Sequence, residues 1–332
     1  MDEIDFVIPW VDGSDMEWIK ERNQYVQIKE DPVEVACRYR DWDNLQYWFR
    51  GVEKFAPWVR KIHFVTWGHV PIWLNQAHPK LNVVTHKDYI PEEYLPTYSA
   101  NPIELNYHRI KGIAEKFVYF NDDMFMIRPM KQAQFFIDGK PRDQASLDYI
   151  ASRDMTAFYH MILNDTILLN KHFKKSQVIK QNRGKWYHPS YGVRNNMKTL
   201  SLGWSKSFPG INLQHTPQAF LKSTYEEVWR VNEEVLAATS ARKFRDFQDV
   251  NQYLFRYWQL AKGEFVPINR EKQARNFSLP AQEQALFKAI KNQAYDMVCA
   301  NDTENLVNFE ATKKGLQQAF EMILPDKSAF EK

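Results

Sequence analysis

Short apolar segments alternate with amphipathic helical patterns along this chain, and this alternation restricts its fold more than any other feature. Apolar runs over residues 4–10, 61–66, 81–85, 117–120 and 295–302 have the length and composition of strands. Helical patterns lie between them. Strands separated by helices favour a mainly parallel sheet flanked by helices, which is an α/β fold.

Capping residues indicate where several of these helices begin. In each case a capping side chain is followed three residues later by Glu or Gln: Ser14 with Glu17, Asp43 with Gln46, and Asn101 with Glu104. After the second cap, the apolar residues of 45–55 have the spacing of one helix face. Pro102 suits the first position of the third helix. An amphipathic pattern over residues 306–323 predicts a last helix, which Pro325 ends.

Three of the predicted strands end in acidic residues. Asp12 follows the first strand, Asp122 and Asp123 follow the fourth, and Asp302 follows the last. Open parallel sheets bind ligands beyond the carboxyl ends of their strands, so these acids converge if the strands are neighbours. Hard divalent cations such as Mg²⁺ or Mn²⁺ prefer oxygen ligands, and the acids therefore predict a metal site. The alternative is a turn in which Asn121 and Asp122 cap backbone groups.

The composition is that of a soluble globular protein with one large α/β domain or two smaller ones, since 44% of its 332 residues are hydrophobic. Cys37 and Cys299 allow at most one disulfide, which favours a reducing compartment. No window approaches the ~20 apolar residues of a membrane span, and the start of the chain is acidic where a signal peptide is basic. A cytoplasmic location is therefore expected.

Motifs of several large enzyme classes do not occur in the sequence. The chain lacks GxGxxG, GxxxxGK[ST], GxSxG and HExxH, which argues against dinucleotide-binding, P-loop, hydrolase and zincin functions. No module that reads nucleic acid is recognisable, so nucleic acid is not an expected partner. Aromatic residues make up 15% of the chain, which suits surfaces that stack on sugars but also large cores.

The 60 residues between Asp165 and Glu226, called the acid-free segment below, contain ten Lys or Arg and no Asp or Glu. An even distribution would place about seven of the chain's 41 acids there. The rest of the chain has 34 Lys or Arg against 41 acids, a net charge of −7. This segment predicts a basic face for a nucleotide, a phosphorylated polymer, nucleic acid or an acidic membrane surface. The alternative is a solvated basic loop.

Several other polar residues have both a structural and a functional interpretation. Glu104 is explained by its capping pair, and Arg109 can pair with Glu104 or Glu115 or reach a phosphate. His215 lies in the acid-free segment, where a base beside an anionic substrate is expected, although a lone His is more often packed or solvated. For Arg245, spacing alone favours a solvated helix entry.

Four blocks of the sequence are similar to those of a known family. The first block is IDFVIPWVDGSD, and the second runs from RDWDNLQYWFRGVEKFAPWVRKIHFVTWG through NPIELNYHRIKG to FVYFNDDMF. The third runs from LQHTPQAF to KFRDFQDVNQYLFRYW, and the fourth from MVCANDTE to ILPDKSAFEK. In this order they resemble the Stealth family, which includes bacterial capsular polysaccharide phosphotransferases and the catalytic subunit of the animal N-acetylglucosamine-1-phosphotransferase.

The resemblance implies transfer of a sugar-1-phosphate from a UDP-sugar to a hydroxyl of an acceptor saccharide, with release of UMP. It also implies a fold like the nucleotide-sugar-binding glycosyltransferase A-type fold, with a more helical C-terminal half. The implied catalytic residues are His215, Arg245, Glu104 and Asp123. The expected ligands of Mg²⁺ or Mn²⁺ are Asp122, Asp123 and Asp302. The expected substrate-binding residues are Asp12, Gly13, Asp15, Arg40, Asp41, His108, Arg109, Asn121 and Asn301.

One catalytic domain over residues 1–332 is expected, in three parts. Residues 1–135 form the α/β nucleotide-sugar half, 136–230 a basic acceptor region, and 231–332 a helical segment with a final strand and helix. The expected partners are the UDP-sugar and an oligo- or polysaccharide acceptor, free or lipid-linked, and residues 171–185 could contact the inner face of the cytoplasmic membrane. Two alternatives stay open: a metal-dependent glycosyltransferase that releases UDP, and a sugar-binding module without turnover.

Overall fold

The fold was determined from a computed structural model. It describes residues 3–26, 39–151, 157–303, 306 and 308–332. Cys37, one partner considered for a disulfide, lies outside the described residues, and Cys299 is a buried free thiol.

The described residues form eleven strands and thirteen α-helices. The strands are β1 (Ile4–Pro9), β2 (Ile62–Thr66), β3 (Leu81–Thr85), β4 (Lys116–Tyr119), β5 (Met124–Met126), β6 (Phe136–Ile137), β7 (Lys140–Asp143), β8 (Gln218–Leu221), β9 (Val266–Pro267), β10 (Ala274–Ser278) and β11 (Met297–Asn301). The helices are α1 (Met16–Asn23), α2 (Leu45–Phe55), α3 (Ala100–Leu105), α4 (Ala157–His172), α5 (Lys175–Gln181), α6 (Arg183–Trp186), α7 (Gly192–Ser201), α8 (Lys222–Val231), α9 (Glu233–Ser240), α10 (Tyr253–Lys262), α11 (Arg270–Gln273), α12 (Glu283–Lys291) and α13 (Phe309–Glu321).

Five strands form the central sheet in the order β3, β2, β1, β4, β8. The first four are parallel, and β8 runs antiparallel to β4. The side chains of β1 and β2 are almost all buried on both faces of the sheet, which is typical of parallel strands between layers of helices. The predicted α/β fold with a mainly parallel central sheet is therefore confirmed.

A second sheet contains β10, β11 and β5, with β11 parallel to β10 and antiparallel to β5. The strand predicted over residues 295–302 is thus observed as β11, but it does not neighbour β1 or β4. Asp12 and the two aspartates after β4 therefore follow neighbouring parallel strands of the central sheet, as predicted, whereas Asp302 follows a strand of the second sheet. The two sheets are connected where the chain turns from β4 into β5. The N–H of Ala300 on β11 donates to the carbonyl of Asp123 in that turn, at 2.8 Å.

The largest hydrophobic cluster joins the two sheets through α2. It includes side chains from β1, α2, β5, β11 and α13. The face of α2 that the sequence predicted is fully buried: Leu45, Trp48, Phe49, Val52 and Phe55. A second cluster covers the other face of the central sheet and includes residues of α8 and α10. The core therefore lies on both sides of β1 and β4 and fixes the ends of these strands.

A buried carboxylate connects the central strands near their N-terminal ends. Asp5 on β1 accepts hydrogen bonds from Arg60 (2.8 Å) and the N–H of Ala114 (2.7 Å), and its carboxylate lies 2.9 Å from Nε2 of His63 on β2. Burial alone would raise the pKa of Asp5, but the hydrogen bonds with His63 and Arg60 lower it below its ordinary value. Asp5 is therefore an ionised link between β1, β2 and the segment that leads into β4.

The observed helix starts differ from the predicted caps. The N-cap residues are Asp15 for α1, Asn44 for α2 and Ser99 for α3. Ser14 does not cap α1 because its hydroxyl donates to Asp12, at 2.6 Å. Asn101 does not cap α3 because its side chain points into the interior and donates to Asp249, at 2.9 Å. Among the described residues, no helix has the length and apolar composition to cross a membrane.

Candidate active site

The turn between β4 and β5 forms the centre of the candidate active site. β4 ends at Tyr119, and the buried Phe120 anchors the chain just before the turn. The N–H of Met124 donates to the carbonyl of Asn121 (3.1 Å) and closes the turn. Because the strands on either side belong to different sheets, the turn holds its two carboxylates at the junction of those sheets.

Asp123 in this turn is in contact with His215 and Cys299. One oxygen of its carboxylate, Oδ2, lies 3.3 Å from Nε2 of His215 and accepts a hydrogen bond from the Cys299 thiol at 3.0 Å. The ligand atoms of these three residues all lie within 4.8 Å of one another. The side chains of His215 and Asp123 keep 35% and 23% of their exposure, so a substrate can reach both.

Opposite charges set the protonation of this pair. Burial disfavours the charged imidazolium, but Asp123, Glu104 and Asp122 outweigh it and raise the pKa of His215. Burial likewise disfavours the Asp123 carboxylate, yet His215 and the Cys299 thiol bring its pKa below the ordinary value. Asp122 is exposed, and partial desolvation by the surrounding protein together with the charge of Asp123 raises its pKa above the ordinary value.

Glu104 lies on the other side of the turn, on the short helix α3. The Tyr119 hydroxyl donates to Glu104 at 2.6 Å and also contacts the side chain of Asn121. Burial raises the pKa of Glu104 to about 7, although Tyr119, Arg245 and His215 each lower it. Arg245 and His215 are therefore close enough to act on Glu104 electrostatically. The structure thus brings together Glu104, Asp122, Asp123, His215 and Arg245, five of the residues predicted for catalysis and metal binding.

The turn after β1 forms a second part of the site. Asp12 accepts from the N–H and the hydroxyl of Ser14, and its own N–H donates to Nε2 of His69 at 2.8 Å. Asp15 caps α1 and lies 3.5 Å from Nδ1 of His69. A Cβ on Gly13 would lie only 2.1 Å from the carbonyl oxygen of Tyr39, so glycine permits this close approach.

A cavity of about 450 Å³ opens beside this turn. Three of its lining residues, Gly13, Arg40 and Asp41, were predicted to bind substrate, and Trp18 and Tyr39 add aromatic surface. Among the described residues, the cavity therefore combines stacking surface with polar groups, as small-molecule sites do.

Asp302 is held by a basic residue from the segment before α2. Its carboxylate lies 3.3 Å from Nη1 of Arg40, whose guanidinium also stacks on Phe309 at 4.8 Å. Burial raises the pKa of Asp302, while Arg40 opposes that shift. Asn301 pairs with Ser278 in the second sheet. Asp302 is thus paired with Arg40, which lines the cavity, and its predicted role as a metal ligand stays a prediction.

His108 and Arg109 lie just after α3 in the chain. His108 is buried, with its ring 5.8 Å from that of Tyr225 and 5.9 Å from that of Trp229. Burial lowers its pKa to about 3. Arg109 donates to Asn106 at 3.0 Å and stacks on Trp229. Both residues belong to a 3₁₀ helix at Tyr107–Arg109 that follows α3, and their predicted role in substrate binding stays a prediction.

Sequence reasoning missed three residues of the site: Tyr119, Cys299 and His69. Tyr119 and Cys299 are buried strand residues, and in the sequence they resemble ordinary core positions. Cys299 comes two residues before Asn301 on the same strand, a spacing that places both on one face and could have pointed to it. His69 follows a strand directly, as Asp12 and Asp122 do, and that position was the available signal.

The carboxylates of the turn fit a hard divalent cation. Oδ1 of Asp123 is buried and has no hydrogen-bond partner among the described residues, which leaves an acceptor free for an ion. Cys299 offers a sulfur atom, and sulfur ligands suit softer metals than Mg²⁺ or Mn²⁺. Asp122 and Asp123 therefore supply oxygen ligands of the kind that Mg²⁺ and Mn²⁺ prefer.

Two family models match the chain. Stealth protein CR1, conserved region 1, matches residues 2–30, and Stealth protein CR2, conserved region 2, matches residues 38–143. The second region contains α2, β2, β3, α3, β4 and β5. It therefore covers Glu104 and the aspartates of the turn, whereas the first covers β1 and the turn that follows it.

The chain is also similar along its full length to several bacterial polysaccharide phosphotransferases. The chain is 37% identical to the capsular polysaccharide phosphotransferase WcwK of Streptococcus pneumoniae, over all of this chain and 99% of that protein. It is 38% identical to the receptor polysaccharide phosphotransferase WefC of Streptococcus gordonii, with the same coverage. Its identity to the exopolysaccharide phosphotransferase cps2G of Lactiplantibacillus plantarum is 36%, over 99% of this chain and 96% of that protein.

Fold, site and relatives together define the class: an α/β protein with a carboxylate and histidine site, similar over its whole length to bacterial polysaccharide phosphotransferases. The chain belongs to the Stealth family. The resemblance inferred from its sequence blocks is therefore confirmed.

The chain is also similar to solved structures of glycosyltransferases, but much more weakly than to the phosphotransferases above. The galactosyltransferase LgtC, in complex with donor and acceptor sugar analogs, has a TM-score of 0.39 and 10% identity over 95% of both chains. The bifunctional glycosyltransferase WbbM in its apo form has a TM-score of 0.39 and 9% identity over 98% of this chain and 52% of that chain. Because these scores are low, the assignment to the α/β class rests on the strand order of the two sheets.

Proposed function

We propose that the protein transfers a sugar-1-phosphate from a UDP-sugar to a hydroxyl of an acceptor saccharide, and so forms a phosphodiester in a capsular or other cell-surface polysaccharide. The observation that carries this proposal is the contact between His215 and Asp123 at the junction of the two sheets, with Glu104 and Arg245 beside it. The names of the full-length relatives support the reaction class.

His215 is proposed to act as the general base. Its ring is partly exposed and is oriented by Asp123. In its neutral form His215 accepts the proton of the acceptor hydroxyl while the hydroxyl oxygen forms a bond to the phosphorus that carries the sugar, and its raised pKa makes it a stronger base. The bond from that phosphorus to the bridging oxygen breaks, and UMP leaves with the electron pair. The bond between the anomeric carbon and its oxygen is not broken, so the anomeric configuration is retained.

Positive charge is needed around the reacting phosphorus. Arg245 is proposed to donate hydrogen bonds to its equatorial oxygens, as charge-assisted donors do in phosphoryl transfer. Glu104 balances the charges of Arg245 and His215. Asp122, Asp123 and Asp302 would hold the Mg²⁺ or Mn²⁺ ion, which when bound supplies charge neutralisation for the diphosphate.

The cavity beside the β1 turn is proposed to hold the uridine and ribose of the donor. Its volume of about 450 Å³ lies within the range of small-molecule sites. The partly exposed Tyr39 offers a ring for the base, and the polar groups of Asp12, Asp15 and Asp41 lie near the turn. Asn121 and Asn301 remain proposed contacts of the sugar phosphate.

We also propose a cellular location, a division of roles along the chain and an acceptor for the reaction. The protein works in the cytoplasm as one catalytic domain, with residues 1–135 binding the nucleotide sugar and 136–230 the acceptor. The acceptor is an oligo- or polysaccharide, free or lipid-linked. A metal-dependent glycosyltransferase that releases UDP is the second candidate, because the same acids and cation would serve attack at the anomeric carbon.

The released nucleotide tests the proposal. Purified protein would be incubated with Mg²⁺, a panel of UDP-hexoses and UDP-N-acetylhexosamines, and short capsular oligosaccharides. UMP together with an acceptor-linked phosphodiester is expected, whereas release of UDP would establish the glycosyltransferase instead. EDTA should abolish product formation and added Mg²⁺ or Mn²⁺ should restore it, and full activity in EDTA would contradict the metal role of the acids.

A further inference from the structure

Helix α7, in the middle of the acid-free segment, presents an apolar face to solvent. Val193, Met197 and Leu200 are 79%, 57% and 60% exposed, and Trp204, three residues beyond the end of the helix, is 84% exposed. Successive residues of an α-helix are rotated by about 100°, so the three helical residues fall within an arc of about 60°. They form one continuous stripe, called the α7 face below together with Trp204.

The opposite side of α7 is fixed to the protein. Thr199 is buried and accepts a hydrogen bond from the N–H of Leu147 at 3.1 Å. Asn195 is also buried, and its side chain donates to the carbonyl of Tyr191 at 3.1 Å. Burial of these polar residues and exposure of the apolar ones is the reverse of the usual arrangement on a surface helix. The packing therefore turns the apolar face outward.

The C-terminal end of α7 is also held in place. The buried Lys175 donates from its Nζ to the carbonyls of Leu202 (3.0 Å) and Gly203 (3.1 Å). These bonds satisfy carbonyls at the helix end and support the turn that carries Trp204. The tryptophan is therefore presented to solvent by an anchored turn.

Basic residues surround the α7 face. Arg194 and Lys206 are exposed, and Lys198 is half-exposed. Lys198 contacts Asp148 at 2.5 Å and lies 5.6 Å from the ring centroid of Tyr149, which is itself 63% exposed. The face thus combines aliphatic and aromatic side chains with a basic surround of Arg194 and Lys206, while Asp148 balances the charge of Lys198.

We propose that the α7 face docks on the surface of an anionic lipid bilayer. Aliphatic side chains that enter the acyl boundary, a tryptophan at headgroup level and flanking Lys or Arg are the features by which interfacial helices bind anionic membranes. A second copy of the chain fits less well, since a symmetric contact would bring the two basic surrounds together. A phosphorylated polymer would match the charge but would leave the apolar stripe in water.

This surface differs from the stretch that the sequence singled out for membrane contact. Within residues 171–185, Lys175 is buried in the bonds described above, and Lys185 donates to the carbonyl of Gly263 at 2.5 Å. Those two lysines support the fold and are not free to face a membrane. The inference does not depend on the proposed reaction.

Vesicle binding tests the proposal and does not require enzymatic activity. The full chain would be mixed with vesicles of equimolar phosphatidylglycerol and phosphatidylcholine, or of phosphatidylcholine alone, and the bound fraction measured by flotation. Binding to the anionic vesicles that weakens with added salt is expected. Met197→Ser with Trp204→Ser should lower the partition coefficient by about tenfold or more, since two apolar anchors are lost. Arg194→Gln with Lys206→Gln should lower binding to the anionic vesicles only.

Matched variants keep the test specific. Ile72→Ser with Met322→Ser removes two apolar side chains that are 91% and 66% exposed elsewhere, and should leave vesicle binding unchanged. Lys87→Gln with Lys111→Gln is the corresponding charge control. Circular dichroism and thermal melting of each variant show whether it is folded. Equal binding by all folded variants, no binding by the unsubstituted chain, or a dimer that Met197→Ser with Trp204→Ser dissociates in the absence of lipid would each overturn the proposal.

Discussion

At the scale of single residues, the site depends on side chains whose charges are set by their neighbours. His215 and Asp123 stabilise each other's charged forms against burial, while burial raises the pKa of Glu104 to about 7. Groups that titrate near neutral pH are suited to proton transfer, and perturbed pKa values of this kind concentrate at functional sites.

Replacing the proposed base should stop turnover and preserve binding. His215→Asn is expected to lower the rate of UMP release by about 10²- to 10⁴-fold, because the acceptor hydroxyl loses its proton acceptor. Donor affinity, measured by calorimetry, should change little. His160→Asn is the control, since His160 is exposed and its ring packs against Phe247. Near-normal turnover by His215→Asn would remove His215 from the mechanism.

Glu104 should reduce the stability of the protein at neutral pH. Its pKa is raised to about 7, so the folded state holds a proton that the unfolded state releases near pH 4.5. Stability should therefore fall as pH rises between these values, by on the order of 3 kcal/mol at most. Glu104→Gln should remove this slope, raise the free energy of unfolding at pH 8 and lower turnover.

Urea unfolding at pH 5 and pH 8 measures this effect. Glu93→Gln, at an exposed position, is the control and should leave the pH dependence unchanged. If Glu104→Gln followed the same pH dependence as the unsubstituted protein, the carboxyl would not be titrating in the folded state.

Residues with polar side chains after strands could be found from the sequence, but their partners could not. Asp123 and His215 were predicted, because acids after a strand and a His in a basic segment are visible in one dimension. Tyr119 and Cys299 were not, because a buried Tyr or Cys in a strand has the same pattern whether it supports a site or only a core. Their roles follow from contacts across the turn.

At the scale of elements, the turn after β1 shows how a strand end becomes a binding surface. Asp12 and Asp15 hold the turn by local hydrogen bonds, and His69 from the end of β2 fixes its backbone. Both aspartates therefore have structural partners already, and the surface they offer to a ligand depends on the shape of this turn.

Gly13→Ala tests the close approach of this turn to Tyr39. The added Cβ would meet the Tyr39 carbonyl oxygen, which is backbone and cannot move aside freely. We expect donor affinity to fall by about tenfold or more, and stability to fall by about 1–3 kcal/mol. Gly184→Ala is the matched control, since nothing lies within 4 Å of its Cβ position and its φ is unstrained. Unchanged donor affinity in Gly13→Ala would separate the turn from the donor site.

The five predicted strands and the α2 face agree closely with their observed limits, whereas β5 to β10 were not predicted and the helix starts differ. Apolar periodicity extends over many residues and so specifies an element strongly. A cap depends on one side chain, and Ser14 and Asn101 each found a different partner, in Asp12 and Asp249. The chain also leaves α3 in a 3₁₀ turn, so the helix ends before His108.

At the scale of the whole molecule, two of the three acidic strand ends belong to the central sheet and the third belongs to the second sheet. The sequence shows a strand at residues 297–301 but not its partner, because pairing between distant strands depends on the completed core. The acid-free segment, too, could be predicted only in part. Its charge was visible in the sequence, but only the packing of α7 shows which residues face outward.

The Asp5 network should be a main support of the central sheet. Asp5→Ala would leave Arg60 and His63 without their partner, and we expect a loss of about 3 kcal/mol at pH 7. The pKa of Asp5 is lowered in the folded state, so its contribution is complete above the unfolded value and is lost as pH falls through the folded value. The difference between the two proteins should therefore shrink below about pH 4.

Guanidinium unfolding from pH 7 to pH 3 provides this measurement. Asp326→Ala, at an exposed position, serves as the control and should behave like the unsubstituted protein. A constant difference between Asp5→Ala and the unsubstituted protein at all pH values would contradict the proposed ionised link.

The central position of β1 has a consequence for synthesis. β1 pairs with β2 on one side and with β4 on the other, and β4 pairs with β8, which comes about 100 residues later in the chain. A growing chain therefore leaves the ribosome with an apolar strand that has one open edge until residues 116–119 follow. Open edges of this kind template aggregation. Chaperone contacts during translation are therefore expected to concentrate on the first strand, and slow elongation between β2 and β4 should lower the soluble yield.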